Sequence, residues 1–202
     1  MRPTEPRQYL SRSALVRRGG AALIASSAVA AWWSGEAAAA VPDNDLAYLR
    51  LLIGVELLAA DFQAQALASG RLSGPAAAAV KQMQADEKAH YNGLAQLVSA
   101  AGQVPATADD IDFEYPKGAF ASQKTVFQLA WSIETISVGA YMGAIENVQT
   151  AQLRLPIGQI GANEAQHVSA LAPTLGRPVI GRAFAPALTI DEVSAALDGY
   201  ES

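Results

Sequence analysis

Glu164-Ala165-Gln166-His167, and 77 residues before it Glu87-Lys88-Ala89-His90, hold both histidines of the 202-residue chain, each with a glutamate three positions ahead. Glutamate makes up about 5% of the residues, so chance placement would do this in roughly one sequence in 400. Steps of three and four residues outward from each pair follow one face of a helix. They read Val80, Met83, Glu87, His90, Leu94, Leu97 in one segment and Ile157, Ile160, Glu164, His167, Leu171 in the other. The same stepping finds two more stripes, each with a single mid-stripe acid. These are Phe127, Trp131, Glu134, Val138, Tyr141, Ile145, and Leu49, Leu52, Glu56, Ala59, the latter passing into Gln63 and Ala66. Glu56 precedes Glu87 by 31 residues and Glu134 precedes Glu164 by 30. A duplicated helix pair explains both spacings.

Helix punctuation gives four segments. The first runs from about Asn44 to Ser69, with Asp43, Asn44 and Asp45 as capping acids and amides and Gly70 as terminator. The second runs from about Pro75 to Ala101, opened by Ser73 and closed by Gly102. Residues 103–121 are rich in turn formers (Pro105, Asp109, Asp110, Asp112, Pro116, Gly118) and predict a long crossover whose acids face solvent. The third segment spans about Ser122 to Leu153, and the fourth starts near Pro156 and stops near Pro173. Residues 176–188 predict an extended tail, and Thr189 caps a last short helix over Asp191 to Leu197. The fold class is therefore all-α: a four-helix bundle with a long crossover between helices 2 and 3 and a C-terminal tail carrying a short helix.

Four ionised carboxylates facing one another in an apolar core would cost many kilocalories per mole without compensating charge. Lysines and arginines lie off these stripes, and the chain has no cysteine. That absence excludes disulfide scaffolds, thiolate zinc, iron–sulfur clusters and thiol nucleophiles. Two divalent cations carry the charge that balances four carboxylates. An isolated glutamate of this kind snorkels and an isolated histidine sits on the surface; the shared register, symmetry and charge of all six are what argue for one site.

This pattern resembles the ferritin-like superfamily of dinuclear iron or manganese carboxylate proteins. More narrowly, it resembles the exported bacterial ferritin-like domain family related to desiccation-associated proteins. The resembling stretches are Val55-Glu56-Leu57-Leu58-Ala59-Ala60-Asp61-Phe62, Glu134-Thr135-Ile136-Ser137-Val138-Gly139-Ala140-Tyr141 and Glu164-Ala165-Gln166-His167, within roughly residues 44–173. The resemblance implies a ferritin-like bundle in which Glu56 and Glu134 are terminal carboxylates, Glu87 and Glu164 bridge two metals, and His90 and His167 each ligate one. It implies two iron ions, or manganese, with oxygen or peroxide as reaction partners and room for a homodimer. Tyr141 lies two turns from Glu134 on its stripe; it reads as a phenol beside the ligands, redox-active or supporting, or as a core residue with its hydroxyl paired. Asp61 and Asp86 flank the pattern off the stripes and read as surface groups or as supports for the ligands.

Residues 1–18 carry Arg2, Arg7, Arg12, Arg17 and Arg18 against one acid, Glu5, and no charge follows from Gly19 to Ser34. An apolar run from Ala21 to Trp33 then leads to Ala37–Ala40, which describes a signal peptide over residues 1–40 cleaved after Ala40. Arg17-Arg18 before a weakly apolar run resembles a twin-arginine signal, with Gly20 where a bulky residue is usual. The expected product is exported to the periplasm, the cell envelope or the medium, with a bundle at 41–175, an extension at 176–202 and no membrane span. Removing residues 1–40 leaves nine basic and seventeen acidic residues, a formal charge of −8, which disfavours nucleic acid as a partner. Three functions compete: di-metal iron oxidation or peroxide and oxygen chemistry, a metal-free envelope or stress-associated protein on the same fold, and a haem binder using Met83 or Met142.

Overall fold

A computed structural model describes residues 41–201; the expected signal peptide, residues 1–40, lies outside them. Five α-helices follow in order: α1 Asp43–Ala68, α2 Gly74–Ala100, α3 Gln123–Asn147, α4 Ala151–Leu171 and α5 Ile190–Asp198. Short 3-10 turns occupy Ala108–Asp110 and Ala172–Leu175. The described residues contain no strand, only one isolated antiparallel bridge between Phe113 and Glu201. Short links fold α1 onto α2 and α3 onto α4 as two hairpins, which meet along α1 and α3, while α5 lies against both of those helices. The arrangement is the all-helical bundle with a long second crossover that the stripes predict.

Helix α1 is central, and its sequence shows why. Leu49, Leu52, Ile53, Val55, Leu58, Ala59, Phe62 and Ala66 are all buried, which wraps apolar contact around most of its circumference. Each fully buried Leu or Phe of this kind contributes about 2–3 kcal/mol of transfer free energy. A helix buried on several sides loses the polar face of an ordinary surface helix. Length and hydropathy would let α1 cross a bilayer, but more than half of its most apolar window is already covered by the bundle. Helix α2, by contrast, buries one narrow stripe, Val80, Met83, Glu87, Leu94, Leu97 and Val98.

Two helix boundaries differ from the sequence reading, for one tertiary reason. The third helix ends at Asn147 rather than Leu153, and the fourth begins at Ala151, so Pro156 falls inside it. Asp45 does not cap its own helix. It is fully buried and accepts hydrogen bonds from the backbone N–H of Gln149 and of Thr150, both at 2.8 Å. Asn44 donates to the carbonyl of Asn147, and Arg154 donates to that of Val148. The first turn of α1 and a side chain of α4 thus satisfy backbone groups that the break at 148–150 exposes. The proline forfeits a bond to the carbonyl of Gln152, an exposed residue that water can satisfy.

The crossover packs on the bundle. Phe120 stacks on Phe62 of α1 at 5.5 Å between ring centres, Tyr115 packs tilted against the same ring at 5.4 Å, and Tyr91 of α2 donates to the carbonyl of Ala106. Asp109, Asp110, Asp112 and Glu114 are exposed. The C-terminal extension packs too. Leu188 N–H donates to the carbonyl of Gly139 at 2.9 Å, Val193 and Leu197 are buried, and the carbonyl of Tyr200 accepts from Glu114 N–H. Gly139 and Gly143 form the trough in α3 that admits this strap. A Cβ on Gly143 would stand 1.9 Å from the Leu188 carbonyl oxygen, and one on Gly139 would stand 2.6 Å from the Leu188 side chain.

That trough yields a paired test. Gly143→Ala forces backbone to move and is expected to cost about 1–3 kcal/mol, as other overpacked sites do. Gly158→Ala in α4 meets only Ile145 at 3.8 Å, so it should be neutral or stabilising by up to about 1 kcal/mol through helix propensity. Thermal unfolding followed by helical circular dichroism reads both; equal effects would mean that the strap does not press on α3.

Candidate metal centre

Each of the four main helices brings its mid-stripe carboxylate to one point. Glu56, Glu87, Glu134 and Glu164 are at most 1% exposed, and His167 is buried beside them. His90 is slightly more open, its side chain 11% exposed. Its Nδ1 lies 2.8 Å from Glu164 Oε1, 3.3 Å from Glu56 Oε2 and 3.4 Å from Glu87 Oε2. His167 Nδ1 lies 3.2 Å from Glu87 Oε1, 3.4 Å from Glu134 Oε2 and 3.5 Å from Glu164 Oε2. All six residues singled out by sequence are therefore in one cluster.

The cluster divides into two overlapping sets of four donor atoms. One is Glu56, Glu87, His90 and Glu164; the other is Glu87, Glu134, Glu164 and His167; within each, the atoms lie within 4.8 Å of one another. Glu87 and Glu164 belong to both sets, so they stand where shared carboxylates would stand between two cations. The hydrogen bonding fits that reading. Glu56 Oε2, Glu87 Oε2, both oxygens of Glu164 and His90 Nδ1 are buried without an aligned hydrogen-bond partner. Leaving such atoms unpaired costs about 1–3 kcal/mol each, and more when charged. Oxygen-plus-imidazole donors around a common centre suit iron or manganese.

Without a cation, protons balance the charge. Burial alone would lower the His90 pKa, but the carboxylates of Glu164, Glu56 and Glu87 push it up to about 12. His167 is raised in the same way, by Glu134, Glu164 and Glu87 against its burial. Burial lifts Glu56 well above the ordinary carboxylate range, helped by repulsion from Glu164; burial and Glu87 do the same to Glu134. Burial opposes ionisation of Glu87 and Glu164 as well, yet the two imidazoles that face them overcome it and hold both low. The metal-free cluster thus holds two carboxylates against two imidazolium ions, with Glu56 and Glu134 favouring the neutral form.

Two further residues brace the lone glutamates, and they come crosswise. Tyr141, fully buried, donates its hydroxyl to Glu56 Oε1. Gln63 donates from Nε2 to Glu134 Oε1 at 2.9 Å and to Glu87 Oε1 at 3.0 Å. Tyr141 stands seven residues after Glu134 and Gln63 seven after Glu56, so each helix carrying a lone glutamate sends a side chain two turns on to the other helix's glutamate. Gly161 lets α4 approach closely behind Tyr141; a Cβ there would stand 2.9 Å from the Tyr141 Cβ. Sequence reasoning took Gln63 as the fading of a stripe. Its signal was the duplication itself, which sets position 63 against position 141. Asp86, off the stripe, reaches His167 Nε2 at 3.4 Å, and Asp61 accepts from the Tyr115 hydroxyl at the crossover.

A family model described as a ferritin-like domain matches residues 44–177. No curated protein matches the chain.

Because imidazolium and carboxylic acid must lose protons before they can ligate, cation binding should release protons, roughly two to four per pair of ions. The sign follows: lowering the pH refills these groups and weakens binding. Calorimetric titration of the metal-free protein with Mn²⁺, in buffers of different ionisation enthalpy, counts the protons. A count near zero would remove these six groups as the ligands.

Proposed function

We propose that this chain, which belongs to the ferritin-like domain family, is exported and binds a pair of redox-active metal ions, iron or manganese, to carry out iron oxidation or peroxide and oxygen chemistry. One observation carries the reading: four carboxylates and two imidazoles from four helices converge in a closed apolar core, arranged as two sets that share Glu87 and Glu164. A purely structural bundle gains nothing from four buried acids, since well-packed apolar residues in their place are as stable or more so.

Paired ions at such a centre supply Lewis acidity and accessible oxidation states. The chain's own groups prepare the place. Six protein residues for two ions leave coordination positions open to a small molecule, which a closed structural site does not offer. Leu49, Leu52, Leu94 and Ile157 are fully buried in the surrounding core, which keeps bulk water and stray reductants out. Tyr141 sets the Glu56 carboxylate through its hydroxyl, and Gln63 sets those of Glu134 and Glu87. Because the chain has no cysteine, electrons from a thiolate-bound iron centre would have to come from a partner protein.

Export is supported by the arginine-rich start, the uncharged run and the Ala37–Ala40 site.

The test is anaerobic loading with ferrous iron, counting metal per chain beside a Glu87→Ala, Glu164→Ala double variant. The expected result is about two ions per wild-type chain, as in carboxylate-bridged bundles, and none held by the variant, with faster oxygen or peroxide consumption on exposure only for the loaded wild type. Equal metal content in the two proteins, both still helical, would return the chain to the metal-free structural reading.

A further inference from the structure

The six candidate ligands follow the internal duplication faithfully, but the residues that support them do not. Under the offset of 77 or 78 residues, Asp86 corresponds to Asn163 and Gln63 to Tyr141. From this asymmetry we infer that the two metal positions are unequal: the one beside His167 and Glu134 fills first and holds its ion tightly, and the one beside His90 and Glu56 is the weaker, exchanging position. The inference rests on the di-metal reading above.

Asp86 is a positioning residue. Its Oδ2 lies 3.4 Å from His167 Nε2, and its Oδ1 accepts from Gln82 Nε2 at 2.9 Å, which ties the carboxylate down. A carboxylate on Nε2 keeps the proton there, turns the Nδ1 lone pair toward Glu87, Glu134 and Glu164, and makes that nitrogen a better donor. Asn163, at the equivalent place, is neutral, and among the described residues no side chain hydrogen-bonds His90 Nε2. His90 is also the more exposed imidazole, 11% against 6% for the side chains.

The other substitution acts in the same direction. Tyr141 offers Glu56 only a hydrogen-bond donor, as Gln63 Nε2 does to Glu134 and Glu87. Gln63 brings both an N–H and a carbonyl oxygen, and its Oε1 is buried without a partner. That amide oxygen is a donor atom beside Glu87 and Glu134 for which the other half, with Tyr141 at the equivalent place, has no counterpart.

Titrating metal-free protein with Mn²⁺, with the free ion read by electron paramagnetic resonance, should show two steps. Asp86→Asn should weaken the first step by about 10–100-fold, the usual effect of removing such a support, and leave the second unchanged. Asn163→Asp should tighten the second step by a similar factor and draw the two together. Cobalt(II) absorption, followed ion by ion, should change for the first ion in Asp86→Asn and for the second in Asn163→Asp. A single step of two equal sites in wild type, or equal weakening of both steps in Asp86→Asn, would overturn the inference. Binding no greater than that of the Glu87→Ala, Glu164→Ala variant would instead sink the di-metal reading itself, so the two failures are distinguishable.

Discussion

Four carboxylates cannot share a dry core unless something positive shares it with them, and this bundle is organised around that requirement. Each glutamate sits at the middle of its helix stripe, the place where apolar packing is otherwise densest. Two histidines stand one turn further on, close enough to be driven to the charged state by the acids they face. The cluster can therefore close its charge with protons or with cations, and the two solutions use the same six side chains. Protons balance the charge in the metal-free bundle, on the same side chains that could hold a metal ion.

The distribution of packing around the site follows from this. Helices α1 and α3 meet each other directly, and each also meets its own hairpin partner. Helices α2 and α4 face each other across the cluster through His90, Glu164, His167, Glu87 and Asp86. That seam holds the more exposed imidazole and the partly exposed Asp86.

Much of this was legible in the chain, because helical periodicity and ligand spacing are local or strictly repeated signals. The stripes through Glu56, Glu87, Glu134 and Glu164 and the punctuation at Gly70, Ser73, Gly102 and Thr189 placed the helices to within a few residues. The misplaced boundary between the third and fourth helices has a different origin. No proline or glycine breaks the chain at 148–150; a carboxylate more than a hundred residues away does, and a window of neighbours holds no trace of it. Gln63 was misread for the opposite reason, since its polarity looked like the end of a pattern until its opposite number, Tyr141, was seen to brace Glu56. The strap at Leu188 was legible only as two glycines in a helix that had no evident need of them.

The Asp45 clamp bears on the order in which the bundle assembles. Either hairpin can close from contacts between near neighbours in sequence, at little loop-closure cost. The bonds from Asp45 to Gln149 and Thr150 span 104 and 105 residues, so they exist only once one hairpin has docked on the other. Interactions made that late belong to the native side of the folding barrier. The worth of this buried carboxylate is accordingly read in how slowly the finished bundle comes apart, and hardly at all in how quickly it forms.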